Sequence, residues 1–274
     1  MSVSDFSTCG LDDVVVNREP SMPSLVKSAA RVLQIFDFFD EVQRPAKVHE
    51  IAERLNFPQS STSVLLKSLI ELGFMDYDAD ARTFLPSPRI ALLGGWVGGG
   101  PMRDGSIIRM MEELAGRTGE AIVLATRNGP YAQDVRVIQG RGPDALSVPQ
   151  GLRRLAVWSG AGLALLKDES NELVQALCRR ANAEATDGAV IDYQRVKSGL
   201  EHLRRSGYYF SKGLVTPGVG SLAMPLPAGL DQPSRSFAIA IAGRLRDMEP
   251  REKQLAAILR QTVTEYLTPY TNAR

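Results

Sequence analysis

The hydrophobic positions after residue 24 fall into two rhythms. In "SLVKSAARVLQIFDFFDEV" apolar residues recur every three to four positions, so Ala29, Val32, Leu33, Phe36 and Phe39 are predicted to share one face of an amphipathic helix. "KVHEIAERLN" repeats the pattern over a shorter length with Val48, Ile51, Ala52 and Leu55. Asn56 and Phe57 predict a tight turn, and Pro58 suits the first position of a third helix. In that helix Leu65, Leu66, Leu69 and Leu72 are expected to point inward, with Gln59, Ser60, Ser63, Val64 and Lys67 outward. "GFMDYDADARTFLP" then changes to two short β-type runs around the polar "DADA", a hairpin pattern. Beyond the glycine-rich "GGWVGGGP", residues 102–270 alternate helical and strand patterns, as α/β and α+β domains do.

Four parts are therefore expected: a polar, aperiodic, disordered tail over 1–23, a helical domain with a hairpin over 24–89, a linker over 90–101 and a second domain over 102–270. Helix, short helix, tight turn, helix, hairpin is the order of a winged helix-turn-helix. The third helix opens on four hydroxyl residues in a row, Ser60, Ser61, Thr62 and Ser63. Such residues compete for backbone hydrogen bonds and are mediocre helix formers. On the first turn of a recognition helix, however, short hydroxyl and amide side chains can reach phosphates and base edges. The alternative is that they cap and solvate a helix start. The elements on either side favour DNA.

Charge narrows this picture. The whole chain of 274 residues carries a net charge of +1, so there is no bulk attraction to nucleic acid. Residues 24–89 hold eight Lys or Arg against nine Asp or Glu, a net −1. Phosphate contact would fall to a few cations: Lys27, Lys67, Arg82 on the wing and Arg89 beside it. No run of about 18 apolar residues predicts a membrane span, and "MSVSDFSTCGLDDVVVN" lacks the form of a secretion signal. With Cys9 and Cys178 as the two cysteines, a reducing, cytoplasmic setting is expected.

Enzyme chemistry finds little footing. The two histidines, His49 and His202, have no Cys or second His at metal-ligand spacing. "WSGAG" lacks the leading glycine of a nucleophile elbow. "GVGSLA" is a loose dinucleotide fingerprint, but "MPLP" follows it where a helix is needed. Glu112 and Glu113 lie on a helical pattern as its solvated face. No cofactor or metal is expected.

"SLVKSAARVLQIFDFF", "IAERLNFPQSSTSVLLKSLIELGFM" and "RTFLPSPRIALLG" resemble the DNA-binding half of the IclR family of bacterial transcriptional regulators. "LAVWSGAGLALL", "LEHLRRSGYYFSKGLVTPGVGSLAMPLP" and "FAIAIAG" resemble its effector-binding half, and the likeness runs over about residues 24–267. The resemblance implies an α+β protein: a winged helix-turn-helix followed by an α/β, GAF-like effector-binding domain. It also implies a palindromic operator in double-stranded DNA and a homodimer or a tetramer built as a dimer of dimers. Two departures stand out. Val64 replaces an arginine usual before the paired leucines, and Arg153 and Arg154 replace a proline-leucine-histidine run. An arginine pair at a pocket mouth favours anions; arginines in solvent are equally common.

Ser159, Gly160 and Ala161 open a predicted helix, whose free N–H groups and dipole suit a carboxylate; close helix–sheet packing through small residues is the alternative. By resemblance, Ser211, Ser221, Ala240 and Ala242 are the facing effector contacts. Relatives that sense very small polar acids tend to have hydroxyls where Ala240 and Ala242 stand. The reading is thus a regulator, not an enzyme, sensing a small organic carboxylate with an apolar or aromatic body. The alternative is a hydrolase-type enzyme in the C-terminal half, with the helical domain binding a partner.

Overall fold

In the computed structural model, which describes residues 26–94, 99–142, 145–184, 190–231 and 235–271, the first helix α1 (Lys27–Val42) turns Ile35, Phe38 and Phe39 inward. The expected tail over 1–23 lies outside the described residues. Val32 and Phe36 are partly buried, but Ala29 and Leu33 face solvent, Leu33 at 64% exposure. The buried stripe is centred on Ile35, and Leu33, two residues away, lies roughly opposite it on a helix of 3.6 residues per turn.

Helix α2 (Val48–Arg54) and helix α3 (Gln59–Glu71) are joined by a turn with Asn56 at φ 52°. Pro58 is the N-cap of α3, one residue before its expected place. The inward stripe of α3 is Thr62, Leu66 and Leu69; Leu72 stands at the C-cap, 59% exposed. Strands β1 (Met75–Asp78) and β2 (Thr83–Pro86) pair antiparallel, and Ala46 adds a bridge to Phe84. A short helix α4 (Arg89–Leu93) follows. Ile35, Phe38, Phe39, Ala46, Ile51, Leu66, Leu69 and Met75 make the core of this unit.

The second unit is α+β. Helices α5 (Gly100–Arg103) and α6 (Ser106–Thr118) precede strands β3 (Ala121–Asn128), β4 (Tyr131–Ile138) and β5 (Arg153–Leu155). A 3-10 turn over Ala156–Trp158 leads into α7 (Gly160–Leu165), then α8 (Asn171–Glu184) and α9 (Tyr193–Ser206). Strands β6 (Tyr209–Lys212), β7 (Val219–Pro225) and β8 (Phe237–Arg244) come next, with α10 (Leu245–Met248) and α11 (Glu252–Thr271) last. The six strands form one antiparallel sheet in the order β5-β4-β3-β8-β7-β6.

Because strand side chains alternate, the sheet has two unlike faces. One carries Ile122, Leu124, Leu222, Phe237, Ile239 and Ile241 and packs on Met110, Met111, Leu114, Leu255, Leu259 and Val263 of α6 and α11. The other carries small side chains, Ala121, Val123, Ala125, Ala223, Ala238, Ala240 and Ala242, and meets Ala161, Ala164 and Leu165 of α7. Large residues build the structural core. The small-residue face lets α7 approach closely.

Candidate nucleic-acid and effector sites

On the first turn of α3, Gln59 and Ser60 are exposed, Ser61 and Ser63 half-buried and Lys67 exposed one turn on. The Ser61 hydroxyl donates to the Pro58 carbonyl at 2.9 Å and that of Ser63 to the Gln59 carbonyl at 3.0 Å. Their oxygens keep lone pairs for an outside donor. Thr62 is different and corrects the expectation that all four hydroxyl residues face DNA. It is fully buried, and its hydroxyl donates to the Pro58 carbonyl at 3.1 Å. It belongs to the inward stripe with Leu66 and Leu69, four and seven residues on, so it serves packing.

The cations divide. Lys27 and Arg31 lie one helical turn apart on α1, and the Arg31 guanidinium sits over the Phe57 ring, 5.0 Å from its centroid, in the turn that leads into α3. The i, i+4 spacing of Lys27 and Arg31 is the sequence signal for this second cation. Arg82 is exposed at the wing turn with φ 54°. Arg89 donates to the Leu72 carbonyl at 3.0 Å and stacks on Phe74, 4.6 Å away. Leu72 lies thirteen residues from Gln59, about 20 Å along a helix, so the structure does not bring Arg89 to the first turn of α3. Arg54 is paired with Glu41 at 2.6 Å, and Arg44 with Glu50. Asp76, Asp78 and Asp80 leave the exposed wing acidic.

In the second unit most of the expected effector residues converge. Ser159 caps α7, its hydroxyl accepting from the Gly162 N–H at 3.0 Å. The Gly160 and Ala161 N–H groups have no intrahelical acceptor at this end. A side chain at Gly160 would meet the Ser221 carbonyl at 3.1 Å, the Ser221 hydroxyl at 3.2 Å and Ser211 Cβ at 3.4 Å. Ser211 and Ser221 face each other across β6 and β7, and Ala242 is the register partner of Ser221 on β8. Ala240 lies one pleat further, between Val123 and Ala223. A side chain at Gly162 would stand 2.1 Å from the Ala156 carbonyl oxygen, so only glycine fits there.

The arginine pair separates. Arg154 turns to the small-residue side and binds Asp134 at 2.6 Å, while Arg153 stacks on Tyr131 at 4.1 Å on the other. Burial raises the Asp134 pKa despite Arg154, since the carboxylate has lost nearly all its water. Burial likewise raises the Tyr131 pKa, helped by its hydrogen bond to Glu184 at 2.7 Å. Arg127 binds Glu169 at 2.9 Å. Neither Asp134 nor Glu169 stands in a motif that marks it in the sequence. Gln139 and Gln150 fasten residues 145–152 to β4, and the Gln-Gly pairs at 139–140 and 150–151 are their only mark in the sequence.

The model of the IclR helix-turn-helix domain matches residues 28–79, and that of the bacterial transcriptional regulator IclR C-terminal domain matches residues 106–266. The chain belongs to the IclR family. It is a ligand-responsive DNA-binding transcriptional regulator, and the hydrolase alternative finds no support. Among its relatives is the HTH-type transcriptional repressor AllR of Klebsiella pneumoniae, 24% identical over 238 residues and matched over 85% of each chain. The Pca regulon regulatory protein of Pseudomonas putida is 23% identical over 243 residues, 86% of this chain and 82% of its own. The crystal structure of an IclR homolog from Microbacterium hydrocarbonoxydans complexed with 4-hydroxybenzoate shares the fold, with a TM-score of 0.55 at 19% identity over 88% of this chain and 98% of that one. Among the described residues no helix of this IclR-family chain is long and apolar enough to cross a membrane.

Proposed function

We propose that this regulator senses a monocarboxylic acid with an apolar or aromatic body, of the benzoate or phenylpropanoid type. The observation that carries the reading is the run of buried alanines, Ala238, Ala240 and Ala242, on the small-residue face of the sheet. Ala240 and Ala242 are 2% and 8% exposed and offer no polar atom to a ligand. A hydroxyl on a small polar acid would go unmatched beside Ala240, between Val123 and Ala223, at about 1–3 kcal/mol. An apolar ring gains roughly 25 cal/mol for each Å² it buries. The Gly160 and Ala161 amides would take the carboxylate, with Ser159, Ser211 and Ser221 beside them. The relative bound to 4-hydroxybenzoate supports the same ligand class.

On the DNA side, Gln59, Ser60, Ser61, Ser63 and Lys67 are the proposed contacts to a palindromic operator, with Lys27 and Arg82 on phosphates. The unit's charge of −1 gives little long-range attraction, so two copies must act together, as a homodimer or a dimer of dimers. Val26, Leu33, Leu92 and Leu93, all more than half exposed, are apolar area for such self-association. The proposed division is a winged domain over 24–89, a linker over 90–101 and an effector domain over 102–270, in a cytoplasmic protein. A thermal-shift screen of the full chain tests the ligand class. Benzoate-type acids should stabilise it, and glyoxylate and pyruvate should not; the opposite result overturns the reading.

A further inference from the structure

Strand β5 covers β4 only at Tyr131, Ala132 and Gln133. Further along that edge two glutamine side chains stand where a strand would. Gln139 Nε2 donates to the Val148 carbonyl at 2.7 Å, and its Oε1 accepts from the Val148 N–H at 3.1 Å. Gln150 reciprocates on Val137, donating to its carbonyl at 2.9 Å and accepting from its N–H at 2.9 Å. Residues 145–152 thus run beside β4 one side-chain length away, tied to it by amides that mimic peptide groups. The backbone itself meets β4 at the end of this strap, Asp134 N–H to the Leu152 carbonyl at 2.8 Å.

The inner side of the strap is apolar. Val148, 5% exposed, is part of the same buried cluster as Ala121, Val123, Ala240 and Ala242, and Leu146 and Leu152 pack against that cluster. Gly151 turns the chain at φ 71°, a conformation that costs glycine little. Hydrogen bonds carried by side chains can pass to water by rotation about side-chain torsions, leaving the β4 ladder to β3 intact. A backbone ladder cannot open without moving a strand. The glutamine bonds along the strap can therefore open locally, with the Asp134–Leu152 backbone bond left in place.

We propose that residues 145–152 are a gate over the small-residue face, latched by Gln139 and Gln150, and that the effector enters and leaves when the latch releases. This rests on the effector reading above. Gln139 and Gln150 act as positioning residues for the strap and need not touch the ligand.

Hydrogen exchange on the full-length protein reads the latch directly. The Val137 and Val148 amides should exchange faster than those of β3 in the sheet centre. Gln150→Ala should expose Val137 and Gln139→Ala should expose Val148, each speeding exchange on the order of tenfold, as expected for losing two neutral hydrogen bonds. Gln150→Glu keeps an acceptor for the Val137 N–H but loses the donor while ionised, so it should be open at neutral pH and relatch on acidification. Stopped-flow binding of 4-hydroxybenzoate then reads the gate. In both alanine variants association and dissociation should quicken together, on the order of tenfold, with Kd changed less than about threefold. Exchange that neither variant alters overturns the latch; altered exchange with unchanged binding rates overturns the gate. If 4-hydroxybenzoate fails to bind and pyruvate binds, the same rates taken with pyruvate decide the gate, so the two readings fail separately.

Discussion

Ala240→Ser and Ala242→Ser form a matched pair, because both place one hydroxyl on the same face of β8 but in different company. Ala240 lies between Val123 and Ala223 in register, 2% exposed, so a hydroxyl there finds no side-chain partner across either strand. An orphaned buried hydroxyl costs about 1–3 kcal/mol. In a unit of this size each kcal/mol lowers Tm by roughly 2–4 °C. Ala242 stands opposite Ser221, whose hydroxyl can pair with a new serine across the strands, so its cost should stay within about 0.5 kcal/mol. Calorimetry of the two variants should therefore rank Ala242→Ser near wild type and Ala240→Ser clearly below it. Ligands should reverse the order: pyruvate-sized acids gain a partner in Ala240→Ser and stabilise it, while benzoate-type acids lose stabilisation. Equal stability of the two variants, with the acid preference of wild type kept in both, would refute the account of Ala240 as apolar in its surroundings and ligand-facing.

Lys67→Ala should weaken operator binding for all sequences and reduce the salt slope by up to about one unit, measured by titration at several salt concentrations. Gln59→Ala or Ser63→Ala should change operator preference in a selection from random sites, whereas Thr62→Val, inside the core, should leave preference unaltered. Gly162→Ala forces a methyl to within 2.1 Å of the Ala156 oxygen and should destabilise the effector unit by roughly 1–3 kcal/mol or more, seen in calorimetry. Burial raises the folded-state pKa of Asp134, so the folded protein binds more protons than the unfolded chain between the usual aspartate pKa and that raised value. Across this window wild type should lose stability relative to Asp134→Asn as pH rises, and the difference should level off once pH exceeds the raised folded-state value, read in urea titrations.

The winged unit was legible because its signals are local. Helix periodicity, the Asn56 turn and the polar break in the hairpin each lie within a few residues. Ranking by hydrophobicity places the leucines of α3 in its core ahead of Thr62, yet Thr62 keeps 4- and 7-residue spacing to Leu66 and Leu69 and satisfies its own hydroxyl on the Pro58 carbonyl. Leu72 stands at the C-cap, where the helix ends, and stays largely exposed. Spacing outweighed side-chain type.

The residues of the proposed effector site stand out in the sequence as separate segments, but their arrangement does not. "WSGAGLALL" and "FAIAIAG" show small residues at fixed intervals, but only the sheet order puts them together, since β8 lies between β3 and β7 although more than a hundred residues separate it from β3. Charges follow the same rule. Arg154 looked like a free cation until β4 placed Asp134 beside it, twenty residues back. That pairing decides what the site can attract. With Arg154 neutralised by a buried carboxylate, and Arg127 by Glu169, neither offers an unopposed positive charge to a ligand. A dicarboxylate would need two such charges. The proposed monocarboxylate on the Gly160 and Ala161 amides, with its apolar body on alanine, needs no such pair of charges.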